Sequence, residues 1–279
     1  MSTIIKETVS KNIITKSKLP ATDYVINNYV GCNHGCIYCY AEFMKRFTNH
    51  TEKWGEFLDV KKFNEEKFVK YLKKINSDKK ILMSSVTDPY NPYEIKSKST
   101  RNILKLFIQA NNEHIHLEIL TKSLLIFRDI DLLKKIKNIT VGISLNTLND
   151  NLRRQIEPCA GSIKSRIEIL KKLKGENIPV YLFISPIFPM LTQLEEIIAT
   201  CKDTVDFIYF ENLNLRGRYK KIILDFISRN FPEYNQLYQD IYTKNKKEYW
   251  YLLMEDINRL CKIYDIKYKT FFFHDNKSS

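Results

Sequence analysis

The stretch Tyr29-Val-Gly-Cys32-Asn-His-Gly-Cys36-Ile-Tyr38-Cys39-Tyr-Ala41 governs the reading of the whole chain, because it sets three cysteines at C-x3-C-x2-C spacing. Thiolates are soft ligands, so three together point to iron-sulfur or zinc chemistry rather than to magnesium or calcium. Three is one fewer than the four thiolates that usually fill a [4Fe-4S] cluster or close a structural zinc site. Either a fourth ligand comes from elsewhere or one metal position stays open for chemistry. His34 lies between the first two cysteines and makes a Cys3His zinc site the alternative. Zinc sites usually spread their ligands as two separated pairs, so ligands this crowded suit a closed tetrahedron poorly.

Upstream of the cysteines, residues 23–30 read as a first strand, rich in β-branched and aromatic side chains. Gly31 and Gly35 give the following loop its backbone freedom, and a helix is expected over residues 40–47. Residues 48–61, with Trp54-Gly55, read as a connection. Downstream the chain alternates. Helices are predicted over 63–75, 100–110, 132–136, 163–174, 193–201 and 220–229, and strands over 80–86, 115–121, 140–145, 180–184 and 205–211. Gly175 is read as the C′ glycine ending its helix. Strands alternating with helices predict βαβ crossovers and a parallel sheet, with apolar strands covered on both faces.

The expected architecture is therefore α/β, a partial (β/α)6 TIM-like barrel over residues 23–230. Residues 1–22 read as a surface lead-in. Residues 231–279 read as a short helical C-terminal extension packed on the core, with helices over 234–242 and 247–264 and a strand-like end over 267–273. In parallel barrels functional groups collect at the C-terminal ends of strands. Here those ends carry the cysteine loop, Ser84-Ser85-Val-Thr-Asp88, Thr121-Lys122-Ser123, Ser144-Leu-Asn-Thr147, Ser185-Pro186 and Glu211-Asn-Leu-Asn214.

Composition narrows the setting. The 279 residues, 44% hydrophobic, can bury a full core. Lys+Arg outnumber Asp+Glu 45 to 32, a formal charge of +13. That balance suits a polyanionic partner such as nucleic acid, or an anionic cofactor, although a lysine-, asparagine- and isoleucine-rich chain also acquires such charge from A/T-rich coding. Three of six cysteines share one short window, unlike the framework of a small secreted disulfide protein. The N-terminus lacks an apolar signal region and no stretch is long enough to span a bilayer, so a cytoplasmic location without membrane attachment is expected. His114 and His116 read as a solvated pair on one strand face.

The cysteine spacing, with an aromatic before the third cysteine and a strand ahead of the loop, resembles the radical S-adenosylmethionine superfamily. More narrowly, the chain resembles the spore photoproduct lyase-like branch. That resemblance is carried by Asn12-Ile-Ile-Thr-Lys-Ser17, Asn27 through Ala41, Thr87-Asp-Pro-Tyr-Asn-Pro-Tyr-Glu94, Thr121-Lys-Ser123 with Arg128-Asp-Ile-Asp-Leu-Leu133, and Arg154-Gln-Ile-Glu-Pro158. It spans residues 12–215, and the motifs follow the order of the βα units.

The resemblance implies that Cys32, Cys36 and Cys39 hold three irons of a [4Fe-4S] cluster, the fourth being left to the amine and carboxylate of S-adenosylmethionine. An electron from the reduced cluster then breaks the sulfonium C–S bond, and the 5′-deoxyadenosyl radical abstracts hydrogen from substrate. It further implies that Tyr38 packs on the adenine and that Ser84 and Ser85 lie where backbone meets the methionyl amine. Lys122 would pair with the methionyl carboxylate and Ser144 would bond the ribose. Photoproduct lyases are expected to carry a hydrogen-donating cysteine after the second strand, where this chain has Ser84-Ser85-Val86-Thr87. Tyr38 and Tyr40 match the tyrosines flanking the third cysteine, so Tyr40 is a candidate radical relay and Cys159 a candidate displaced hydrogen donor.

The expected function is thus radical chemistry, lyase-like or substrate-modifying, on DNA or a nucleic-acid lesion. The alternatives are a peptide or small-metabolite substrate, or a non-enzymatic zinc-binding nucleic-acid module. The cysteines after Cys39 are too few for an auxiliary four-cysteine cluster. A low-potential electron donor of flavodoxin or ferredoxin type is the implied partner, and a monomer the expected state.

Overall fold

A computed structural model describes residues 3–272. Its strands are β1 (Ile4–Val9), β2 (Ile14–Lys16), β3 (Tyr24–Ile26), β4 (Tyr29–Val30), β5 (Phe57–Lys62), β6 (Lys79–Met83), β7 (Ile115–Thr121), β8 (Ile139–Ser144), β9 (Val180–Ile187), β10 (Phe207–Asn212) and β11 (Tyr268–Phe271). The larger sheet runs β11-β10-β9-β8-β7-β6-β3-β2. Every neighbouring pair from β3 to β11 is parallel, and β2 adds antiparallel at the edge. Each consecutive strand from β6 to β10 joins beside its predecessor, as the short, unbranching connections of a βα series dictate. The sheet does not close, since β2 and β11 are its edges.

The helices are α1 (Glu65–Lys73), α2 (Glu94–Ser97), α3 (Ser99–Ala110), α4 (Ile130–Leu133), α5 (Asp150–Ile156), α6 (Ile163–Gly175), α7 (Leu194–Cys201), α8 (Gly217–Asn230), α9 (Asn235–Tyr242) and α10 (Glu248–Ile263). Polar side chains start several of them. Asn64 accepts from the Lys67 amide at 2.8 Å, Asn149 from the Leu152 amide at 3.0 Å and Ser162 from the Ser165 amide at 3.1 Å. Each satisfies an amide that the first helical turn leaves unpaired. Leu104 and Phe107 of α3, Leu170 and Leu173 of α6 and Ile197 of α7 join Leu117, Val141, Leu182 and Ile208 of the strands in one buried core.

The opposite sheet face differs from the expected all-apolar runs. In β7 and β10 burial alternates along the strand, which leaves His116, Glu118, Phe207 and Tyr209 on the concave side. Tyr181 lies stacked on Phe207 there, ring centres 5.1 Å apart, and donates to Glu118 at 2.5 Å. His116 meets Thr140 at 2.9 Å, whereas His114 stays exposed beside Asp78. The two histidines therefore do not form one solvated pair.

Other expectations need correction. The lead-in contains β1 and β2, and the connection after the cysteines contains β5. β1 pairs parallel with β5, and β4 pairs antiparallel with it, in a separate small sheet. The expected first strand is therefore two: β3 serves the barrel and β4 turns away into the small sheet. Residues 40–47 form a 3-10 rather than an α-helix. Gly175 is the last residue of α6, and Asn177 two positions on takes the left-handed conformation. At the C-terminus β11 extends the barrel sheet; Phe273, included in the expected strand, lies outside the described residues. Tyr238, Tyr242 and Trp250 are buried in the core. Among the described residues no helix is long and apolar enough to cross a membrane.

Candidate cluster and cosubstrate site

The cysteine loop leaves β4 through Gly31, whose φ is +92° and where a Cβ would stand 2.4 Å from the Phe57 carbonyl oxygen. Only glycine fits that approach to β5. Two carboxylates then brace the loop from opposite sides. Asp88 accepts from the Thr121 hydroxyl at 2.7 Å, the Lys122 amide at 2.9 Å and the Tyr90 amide at 2.8 Å. It also faces His34 Nδ1 at 3.5 Å. Burial lowers the His34 pKa, so the imidazole is a neutral strut directed at Asp88 rather than toward the thiols. The second brace is Glu157. Its segment meets the loop through the Ile37 amide, which donates to the Ile156 carbonyl at 3.0 Å, and through the Cys159 amide on the His34 carbonyl at 3.1 Å.

All three loop thiols are free, with Cys32 buried and Cys36 and Cys39 partly covered. They are close enough to affect one another's ionisation. Burial pushes Cys32 up to about 12, with Asp88 and then Cys39 adding to it. Cys36 is raised by burial and Glu157, and further by Cys39 and Cys32. Cys39 is raised by burial, although the Trp54 side chain bonds it and pulls the other way. Among the described residues no three His, Cys, Asp or Glu side chains converge as a ligand set for a single ion. Soft donors alone, crowded and hard to ionise without a compensating cation, suit an iron-sulfur cluster, whose binding displaces the protons.

Tyr38, between the second and third cysteines, sits edge-on to Phe188 with ring centres 5.6 Å apart. Its hydroxyl donates to Glu157. The other Glu157 oxygen receives the Arg166 guanidinium, which also donates to the Ser144 and Gly161 carbonyls at 3.1 and 3.0 Å. Glu157 and Arg166 are both fully buried. Burial alone would raise the Glu157 pKa, but Arg166 and Lys122 hold it below its ordinary value. Lys122 is raised in turn, because Glu157 and Cys36 outweigh the burial that pulls it down. A partly buried, charged lysine thus stands beside the cysteine loop.

The remaining sequence candidates divide. Ser84, left-handed at φ +68°, turns its hydroxyl to Asn28 at 3.3 Å. The Ser85 and Val86 amides are tied to Asn27 at 2.9 and 3.2 Å, and the Ser85 carbonyl accepts from Tyr40. Tyr40 is half exposed at 50%, so it spans from the loop to the end of β6. Cys159 is exposed beside the loop. Ser144 lends its carbonyl to Arg166, but its neighbour on the same face, Asn146, has the more telling side chain. Asn146 is 1% exposed and its Oδ1 has no partner, while its amide reaches the Tyr38 hydroxyl at 3.5 Å. A buried amide oxygen left unpaired next to Tyr38 calls for a donor, from a water or a ligand, and S-adenosylmethionine offers adenine and ribose donors. The residues therefore fit both the cluster and the cosubstrate. Asp88, Glu157 and Asn146 were within reach of sequence reading, since all lie in quoted motifs, but their roles arise from convergence in space.

Comparisons with known proteins agree. The chain is 42% identical over 224 residues to uncharacterized protein MJ0683 of Methanocaldococcus jannaschii, covering 80% of this chain and 82% of that one. Its fold matches a mutant of spore photoproduct lyase with a TM-score of 0.70 at 15% identity, over 96% of this chain and 82% of that chain. The lyase complexed with dinucleoside spore photoproduct gives 0.61 at 16% identity over 82% of this chain, and the match spans 66% of the lyase chain, just under two thirds. Streptococcus suis SuiB bound to S-adenosylmethionine gives 0.56 at 16% identity, over 88% of this chain and 49% of that chain. The family model described as the Radical SAM superfamily matches residues 26–203, and on that match the chain is an enzyme belonging to the Radical SAM superfamily.

Proposed function

We propose that this enzyme holds a [4Fe-4S] cluster on Cys32, Cys36 and Cys39, cleaves S-adenosylmethionine reductively and abstracts hydrogen from a nucleic-acid substrate. When bound, the reduced cluster supplies the electron that breaks the cosubstrate's sulfonium C–S bond. The observation that carries the reading is the unpaired, buried Asn146 Oδ1 beside Tyr38, on the loop of three clustered thiols.

The chain's own residues supply binding and orientation. Tyr38 offers a ring face to the adenine, held in angle by Glu157. Asn146, with Ser144 on the same face, meets donors of the nucleoside. Lys122 provides positive charge for the methionyl carboxylate, and the Ser84–Ser85 backbone borders the methionyl amine. Tyr40 and Cys159 are the groups suited to relay or return a hydrogen atom, since the end of β6 has no thiol. The nucleic-acid assignment draws on the +13 charge and on the fold shared with a lyase complexed to a dinucleoside. A low-potential donor of flavodoxin or ferredoxin type delivers the electron in this reading, and a cytoplasmic location follows from the reducing surroundings such a cluster needs.

Anaerobically reconstituted protein should be brown and should release 5′-deoxyadenosine and methionine with dithionite. A colourless, zinc-retaining protein that leaves S-adenosylmethionine intact would sink the reading. Flat, salt-insensitive binding of oligonucleotides would move the substrate to a peptide or metabolite.

A further inference from the structure

A second cleft, of about 410 Å³, opens between the end of β5 and the junction of α2 with α3, apart from the cluster site. Lys61, Lys98 and Lys105 line it, with Ser97 and Ser99. Of the anionic side chains around it, Glu65 lines the cleft itself, while the others are paired with cations. Glu65 accepts from Asn102 at 2.7 Å, Glu7 pairs with Lys62 at 3.0 Å, and Asp129 and Asp131 hold Arg101 at 2.6 and 3.0 Å. Among the described residues none of the ammonium groups of Lys61, Lys98 and Lys105 has a carboxylate within ion-pair reach. Lys61 is partly buried nevertheless, and burial lowers its pKa although Asp59 opposes the shift.

Lys98 sits at the junction itself, capping the end of α2 and the start of α3. Its φ is +51°, in the left-handed region that favours glycine. A water takes up about 30 Å³ of liquid, so the cleft has room for a tetrahedral anion together with the group it esterifies. Lysines act as point charges for phosphate without demanding one fixed geometry. Ser97 ties the cleft to β4, sharing the Tyr29 hydroxyl at 2.5 Å.

We infer that this cleft binds a phosphate group, held by Lys61, Lys98 and Lys105. The nucleic-acid reading above bears only on where that phosphate comes from, a strand's backbone or a free phosphorylated compound.

The test uses reconstituted protein, a labelled oligothymidylate titrated at several salt concentrations, and inorganic pyrophosphate as the free anion. The triple variant Lys61→Ala, Lys98→Ala, Lys105→Ala is compared with Lys135→Ala, Lys164→Ala, Lys171→Ala, which removes the same charge from other exposed positions. The cleft variant should lose at least tenfold in affinity and shed about 0.7 from the salt slope, the value for one phosphate contact on a single strand. The control should change little, and both should still form 5′-deoxyadenosine. Loss of pyrophosphate binding with unchanged oligonucleotide binding upholds the site and assigns it a free phosphorylated compound. Equal losses in the two variants, an unaffected cleft variant, or a wild type that binds neither probe would overturn it. A protein without a cluster would defeat the radical reading while leaving these binding results to stand.

Discussion

The hydroxyl of Tyr38 donates to Glu157 across a separation of 119 residues, and so ties the ring between two of the loop cysteines to a fully buried ion pair. Arg166 then carries the link to the Ser144 carbonyl at the end of β8. The loop that would mount the cluster and the strand that would border the nucleoside are thus joined through one carboxylate.

Replacing that carboxylate should be costly. Glu157→Ala strands the Arg166 guanidinium in the core, a loss of about 3–5 kcal/mol by the behaviour of buried pairs with one partner removed. Glu157→Gln keeps an acceptor for Tyr38 and should cost less. The pH dependence has a definite sign. Folding holds the Glu157 pKa below its ordinary 4.5. Its charged form therefore stabilises fully above that value, and the contribution is lost as pH falls through the folded-state pKa. Denaturant midpoints of wild type and Glu157→Gln should converge as pH drops below 4.5; a constant gap would mean that the charge is not what stabilises.

Tyr38 can be divided into ring and hydroxyl. Tyr38→Phe keeps the edge contact with Phe188 and removes a donor to a charged acceptor, at a cost of about 1.5–3 kcal/mol in stability. Its affinity for S-adenosylmethionine should stay within about threefold, because the ring remains. Tyr38→Leu should weaken that affinity by about tenfold, since a base–aromatic contact contributes roughly 1–3 kcal/mol. Equilibrium binding of the cosubstrate to the oxidised protein reads both. A Phe variant as impaired as Leu would assign the role to the hydroxyl.

Cys36→Ala removes the thiol nearest the charges of Glu157 and Lys122. The reconstituted variant should lose its brown colour and form no 5′-deoxyadenosine. Far-ultraviolet circular dichroism should be nearly unchanged, because the sheet and its helices share a core that excludes the loop thiols. Loss of the fold along with the colour would make the cysteine loop structural.

Much of the barrel was legible because its signals are local. The β7 span was matched residue for residue, since hydrophobic strand residues run between a polar turn and Thr121. The small sheet was not legible. β5 reads Phe-Leu-Asp-Val-Lys-Lys, too polar to stand out, and its partners β1 and β4 lie on either side in sequence with no mark of the pairing. The three cysteines declared themselves by spacing. Their braces did not: nothing in the sequence says that Asp88 faces His34, or that Glu157 lies under Tyr38. Such roles come from tertiary convergence, which leaves no local period to read.

Gly142 tests the concave face. A Cβ there would stand 2.2 Å from the Tyr181 ring, which is itself stacked on Phe207 and bonded to Glu118. Gly142→Ala should destabilise by about 1–3 kcal/mol, as overpacking does. Adding Tyr181→Leu should recover part of the loss, measured as a coupling between neighbours in a double-mutant cycle. Additive losses would show that the ring has room to move.

Asn146 and Ser144 lie on the same face two residues apart, and only the asparagine leaves a buried oxygen unpaired. Bound S-adenosylmethionine should satisfy it, and a neutral hydrogen bond of this kind contributes about 0.5–1.5 kcal/mol net, or roughly threefold to tenfold in affinity. Asn146→Ala should therefore weaken cosubstrate binding by about that factor. Stability should hold or rise slightly, because the variant also removes an unsatisfied buried group. Ser144→Ala should leave affinity nearly unchanged, since its carbonyl, already taken by Arg166, survives the substitution. Calorimetric titration of both variants decides between the two positions. A larger loss at Ser144 would return the nucleoside contact to the serine hydroxyl and leave the Asn146 oxygen as a packing defect.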